Sequence, residues 1–262
     1  MHQKSPFEFN LQEEFRHLSA APIEEAVIHW TAKAVKPPIQ EEWRDQLQKL
    51  PGYPECHPQK RFLLETEINV DGLSRQTQHD SWYGFQLTSS DKLYIAQFNR
   101  DGMVFSRLKP YNDWGKFSGE GLKLWRFFTT LAEPSEVQRL GIRFINRIAP
   151  IKLSKVASYL TKPPKCLQSL GLPMSNFLFQ STHDVPGHPY KINVVQAIQP
   201  PVPKQAEVFG LILDIDVFTT QAFQPTESRI KEHLANMRWL KDKAFFSLLK
   251  EKTIASFEET PK

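Results

Sequence analysis

Asp113-Trp114-Gly115-Lys116-Phe117 opens the stretch that decides the fold. An aromatic run through Trp125, Phe127 and Phe128 carries it on. Val137-Gln138-Arg139-Leu140-Gly141-Ile142-Arg143-Phe144-Ile145-Asn146-Arg147-Ile148 closes it. The first part has helical spacing. Trp114, Phe117, Leu124, Trp125, Phe128 and Leu131 fall on one side of a helix and make a wide apolar stripe. Asp113 stands where an N-cap belongs. The second part alternates as a strand does: Leu140, Ile142, Phe144 and Ile148 point one way, Arg139, Arg143 and Arg147 the other. A helix and a strand of this kind need an apolar surface to share.

That surface lies upstream. Arg61–Val70, Trp82–Thr88, Leu93–Asn99 and Met103–Lys109 alternate in the same manner. Ser89-Ser90-Asp91-Lys92 and Asn99-Arg100-Asp101-Gly102 are turn chemistry, so their strands are antiparallel neighbours. The Trp114–Leu131 helix is the natural cover for the apolar face of this meander. Gly115, Gly119 and Gly121 each cost that helix roughly 1 kcal/mol against alanine. Close approach to the sheet is the expected compensation.

Further back, Glu25–Val35 reads as a first strand ended by Pro37-Pro38, and Ile39–Leu50 as a helix stopped by Pro51-Gly52. Pro54 to Pro58 reads as loop. Residues 1–21 read as a loosely attached arm with one short helix at Leu11–Leu18. Downstream, Ser154–Leu160 reads as a short helix and Lys162-Pro163-Pro164-Lys165 as the best boundary. Strands at Asn176–Thr182, Tyr190–Gln199 and Val208–Thr219 then precede a helical region from Thr226 to Glu258. Its apolar stripe includes Ile230, Leu234, Met237 and Leu240, and Lys231, Lys241, Lys243 and Lys250 form an exposed basic rim. Strands followed by a helix occur twice. The expected class is therefore α+β: mainly antiparallel sheet in two related halves, each a strand meander packed against a helix. The divisions are an arm at 1–21, a first half at 22–152 and a second half at 153–262.

Composition bounds the function. The 262 residues are 40% hydrophobic and 24% charged, ordinary for a globular chain. No apolar run approaches the roughly 20 residues that span a bilayer, and Met1–Pro6 lacks the apolar core of a signal peptide. Cys56 and Cys166 stand far apart, which argues against a disulfide framework or a zinc cluster and for a cytoplasmic location without membrane association. A net charge of +4 permits a local basic patch without demanding nucleic acid.

A family resemblance accompanies this pattern. Pro22 with Glu25-Ala26-Val27-Ile28, the Asn99–Gly102 turn with Phe105-Ser106, Tyr111-Asn112-Asp113-Trp114, Arg139–Ile148 and Leu213-Asp214-Ile215-Asp216 occur in this order. Together they resemble a sporadically distributed, uncharacterised family of bacterial and archaeal proteins of similar length. The likeness spans nearly the whole chain from Pro22 onward, and Arg139–Ile148 is its most specific block. The resemblance brings no activity with it. Its patchy distribution implies mobile genes such as defence or toxin–antitoxin loci.

Three groups of residues carry chemistry. Arg139, Arg143 and Arg147 share one strand face. Fixed guanidinium groups suit phosphate or carboxylate, which each binds through paired hydrogen bonds. The plainer account is internal pairing, with Glu65, Glu67 or Glu120 as partners. Asp214 and Asp216 share another strand face. Two carboxylates can begin a divalent metal site or raise one another's pKa, but a solvated or arginine-paired face is the plainer account. His183-Asp184-Val185-Pro186-Gly187-His188 invites a metal reading, yet Pro186-Gly187 marks a turn. No cofactor fingerprint occurs.

These features favour a non-catalytic binding or accessory protein that recognises an anionic or protein partner. The alternative is a nucleic-acid-binding or metal-dependent phosphodiester-cleaving enzyme. There the arginines hold phosphates and Asp214 and Asp216 hold the ion. A small-molecule enzyme working between the halves is a third class. Oligomeric state is not encoded in any motif.

Overall fold

The computed structural model describes residues 7–68, 74–111, 113–165, 170–201 and 209–258, with side chains outside 63–79. The chain runs β1 (Ile23–Thr31), α1 (Gln40–Leu47), β2 (Glu55–Ile68), β3 (Ser74–Thr88), β4 (Tyr94–Asn99), β5 (Gly102–Leu108), α2 (Trp114–Ala132) and β6 (Arg139–Ile151). A short 3₁₀ turn at Leu153–Ser158 precedes β7 (Leu178–Asp184), β8 (Lys191–Gln199), β9 (Phe209–Thr219), α3 (Glu227–Leu248) and α4 (Glu251–Ala255). All nine strands join one sheet in the order β2-β3-β4-β5-β1-β6-β9-β8-β7. Every pairing is antiparallel. The class is thus α+β on a mainly antiparallel sheet.

The alternation of the strands divides the sheet into two faces. Ala26, Ile28 and Trp30 of β1, Met103 and Phe105 of β5, Leu140, Ile142 and Phe144 of β6 and Leu213, Ile215 and Val217 of β9 are buried on one of them. The long helices pack there. Trp125 of α2 stacks on Trp30 at 5.4 Å and on Phe128 at 5.3 Å. Trp43 of α1 meets Phe128 edge-on. Lys241 of α3 lies 4.1 Å from the centre of the Phe144 ring. Asp113 caps α2, its Oδ1 accepting from the Lys116 amide at 2.8 Å. Of the three helix glycines, Gly121 is the one the packing requires. A Cβ there would lie 3.1 Å from Ile28 Cδ1 and from Phe105 Cδ1, whereas Gly119 has nothing within 4 Å.

Several expected boundaries move. Pro54–Pro58 is not a loop throughout, because β2 begins at Glu55 and carries Pro58 opposite Phe85. The edge position of β2 explains it, since a proline there removes no ladder hydrogen bond. The expected helix at Leu11–Leu18 is absent. That arm is a non-helical segment docked by its aromatics. Phe9 meets His188 at 4.7 Å and Trp239 at 5.6 Å, and Phe15 stacks on Phe246 at 5.5 Å. Arg16 holds Glu251 through two hydrogen bonds of 2.7 and 2.9 Å. An eight-residue helix is marginal by itself, so aromatic docking outweighs it. The helical region from Thr226 is split, because Leu249 and Lys250 turn extended and Leu249 bridges Leu160.

Candidate functional site

The opposite face of the sheet bears none of α1, α2 and α3. Alternation puts Val27 and His29 of β1, Arg139, Arg143, Ile145 and Arg147 of β6 and Ile212, Asp214, Asp216 and Phe218 of β9 on it. Val195 and Gln199 of β8 continue it. The predicted arginines and the predicted aspartates, far apart in sequence, therefore meet on one surface. The cause is the β6–β9 pairing, which sets Arg143 directly opposite Asp216 and Ile145 opposite Asp214.

Each arginine has an acceptor within the chain. Arg143 Nε donates to Asp214 Oδ1 at 2.9 Å, and its Nη2 donates to Oδ2 of the same carboxylate. The Asp214 side chain is only 10% exposed, while that of Arg143 is 51% exposed. Arg139 Nη2 donates to Asp216 Oδ2 at 3.2 Å, and its guanidinium lies 4.7 Å from the centre of the Phe218 ring. Arg147 Nε donates to the Gln199 side-chain oxygen. The partners seen are two aspartates and a glutamine. Glu120 accepts instead from Tyr53 and Lys123, and the side chains of Glu65 and Glu67 lie outside the described residues.

His29 is the site residue that sequence reading missed. Its Nδ1 lies 3.0 Å from Arg139 Nη1. An arginine only donates, so Nδ1 must be the unprotonated acceptor and Nε2 carries the proton. Burial pushes the His29 pKa down, and the Arg139 charge pushes it further the same way. Burial pushes Asp216 up against the opposing pull of Arg139 and Arg143. Only the β1–β6 register brings His29 beside Gly141 and within reach of Arg139, and no local motif announces that register.

The arrangement is a nearly neutral, hydrogen-bonded lattice of fixed charges, bordered by the partly exposed aliphatics Val27, Ile145, Val195 and Ile212. Its two aspartates already hold guanidinium groups that a divalent ion would have to displace. Among the described residues no three His, Cys, Asp or Glu side chains gather as metal ligands. His183 and His188 flank the β7–β8 turn, where Gly187 takes φ +78°, and His188 Nε2 pairs with the Phe7 carbonyl at 2.9 Å. Cys56 is half-buried on β2, and Cys166 lies outside the described residues.

A second polar region lies across the sheet. Lys33, Lys36, Arg61 and Arg100 surround a cleft of about 480 Å³ beside Tyr83 and Asp101. The Arg61 guanidinium sits 3.9 Å from the centre of the Tyr83 ring. No family model matches the chain, and no curated protein matches it.

Proposed function

We propose that this chain is a non-catalytic binding protein that receives a protein partner on the helix-free face of its sheet. One observation carries the reading: Arg139 and Arg143 are already ion-paired with Asp216 and Asp214 of their own chain, and Arg147 is held by the neutral Gln199 side chain. A surface built for phosphates keeps its cations unpaired, since counterion release needs net positive charge. A largely paired lattice edged by aliphatics instead offers a protein both signs of charge and an apolar margin. The size also fits. Nine strands about 4.8 Å apart give roughly 40 Å of width, and about 20 Å of strand length gives near 800 Å², the share one partner gives to a standard interface.

Two related halves complete the proposal, with β6 heading the second half, so that the division falls before Arg139 rather than after residue 152. Outward from β1 the order is β5, β4, β3, and outward from β6 it is β9, β8, β7. Each last-formed strand of the two sets, β5 and β9, leads into a long helix. That correspondence supports a duplication about the β1–β6 seam.

A tagged chain expressed in its source cells should carry a stoichiometric protein. Val27→Asp with Ile212→Asp should release it while leaving the denaturant midpoint near that of the wild type, because both side chains are partly exposed already. A partner that survives both substitutions contradicts the reading.

The nucleic-acid reading has its own support in the cleft of Lys33, Lys36, Arg61 and Arg100, where Arg61 pairs with Asp101 and Lys36 with Glu133, and Lys33 and Arg100 add two further cations. It expects tight binding at low salt that weakens steeply as salt rises. Lys36→Ala with Arg100→Ala should then flatten the salt slope by about two, and Arg143→Ala should leave it unchanged.

A further inference from the structure

The N-terminal arm does more than cover apolar surface. Between Phe15 and Ile23 it roofs a cavity of about 250 Å³ set between α2, α3 and the β1–β6 seam. Asn146 is part of its lining and is 1% exposed. Its amide nitrogen donates to the carbonyls of Phe144 at 3.2 Å and Leu213 at 2.9 Å. Among the described residues no group donates to its Oδ1. The Tyr111 hydroxyl likewise bonds to no described residue, and burial, with Asp242 nearby, pushes its pKa up, so it stays a neutral donor.

The charges on one wall do not balance. Lys241 pairs with Asp242, and Arg238 Nε lies 3.6 Å from the same carboxylate. Two cations therefore share one anion. The Lys241 and Asp242 side chains are only 13% and 16% exposed, where solvent screens weakly, while that of Arg238 is 52% exposed. The other charged residues of the lining are engaged elsewhere. Arg16 pairs with Glu251 and Glu258, and Asp113 caps α2 with Lys116 Nζ 3.9 Å from its carboxylate. The excess positive charge therefore belongs to the Arg238–Lys241 wall. Phe15, Phe245 and Phe246 make an apolar part of the lining.

We infer that this cavity is a binding site for a small monocarboxylate with an aromatic or branched apolar body. The carboxylate completes the Arg238–Lys241–Asp242 cluster, accepting from both cations, and the Tyr111 hydroxyl is a further donor. The body fills the space against the three phenylalanines. An apolar wall beside convergent polar groups is the usual form of such a site. The arm then acts as a roof that ligand and protein hold in place together. The site is independent of the open sheet face and stands whether or not a protein docks there.

Benzoate and its neutral isostere benzamide are the probes, titrated into the full chain by calorimetry and by ligand-observed NMR. Saturable one-to-one binding of benzoate, about tenfold or more tighter than benzamide, is expected, because a charge-assisted pair is lost in the amide. Arg238→Gln should remove that preference. Lys241→Met strands Asp242 and risks the fold, so Leu18→Trp provides the second test by filling the cavity. It should abolish benzoate binding while the melt stays cooperative. Benzoate that binds no better than benzamide, a preference that survives Arg238→Gln, or undiminished binding to folded Leu18→Trp would each overturn the assignment.

Discussion

Arg143 reaches past the residue directly opposite it, Asp216, and clasps Asp214 instead. The diagonal leaves Asp216 to Arg139, so two arginines serve two aspartates along the β6–β9 pair. Removing Arg143 leaves a nearly buried carboxylate without its main partner. Arg143→Ala should cost about 1–3 kcal/mol, less than a fully buried pair because the guanidinium is half exposed. Arg143→Lys should recover only part, since an ammonium cannot make both bonds at once. Urea melts at constant pH measure both. A loss of under about 0.3 kcal/mol for the alanine variant would show that the pair contributes nothing.

Trp125 stacks on Trp30 and on Phe128 and is buried. Trp125→Ala should destabilise by about 3–5 kcal/mol, the range for emptying a large aromatic site. A change below about 1 kcal/mol in chemical denaturation would place Trp125 outside the core.

Two glycines of α2 should respond with opposite sign. Gly119→Ala adds a methyl into open space and gains helix propensity, so stability should rise by about 0.5–1 kcal/mol. Gly121→Ala presses against Ile28 and Phe105, both fully buried, and should lose stability despite the same propensity gain. Equal effects at the two positions would show that α2 does not rest on the sheet through Gly121.

His29 gives the open face a pH dependence with a definite sign. Its folded pKa lies below the usual histidine value of 6.5. The unfolded chain then takes up the proton first, so the His29 contribution is intact above 6.5 and declines as pH falls through that value. His29→Gln keeps an acceptor for Arg139 and should flatten the decline below pH 6.5. His233, also lowered by burial, should account for part of the slope that remains. An NMR titration that finds His29 at or above 6.5, or protonated on Nδ1 when neutral, would contradict the geometry at Arg139.

Much of this fold is legible in the chain. The stripe from Trp114 to Leu131, the Asp113 cap and the alternation of Arg139–Ile148 are local patterns, and they appear where the residues place them. The candidate site is legible only in part. The arginines and aspartates can be named from strand alternation, but their mutual pairing depends on β6 lying against β9, some seventy residues away. His29 enters only through the β1–β6 register. Lys241 reads as part of an exposed rim because helical spacing says nothing of an arm that folds over it. The missing arm helix has the same origin, since Phe9 and Phe15 are satisfied by residues more than 170 positions downstream.

The claim at the centre of this account is that a protein docks on the open face, and site-specific photocrosslinking tests it most directly. A photoreactive residue placed at Val27, Val195 or Ile212, and at Lys123 on the exposed side of α2 as control, is activated in the source cells. The account predicts one and the same discrete protein adduct from the three sheet positions, none from position 123, and its loss when Arg143→Glu reverses the central charge. Adducts of equal yield from position 123, or crosslinks from the sheet face to nucleic acid alone, would contradict it.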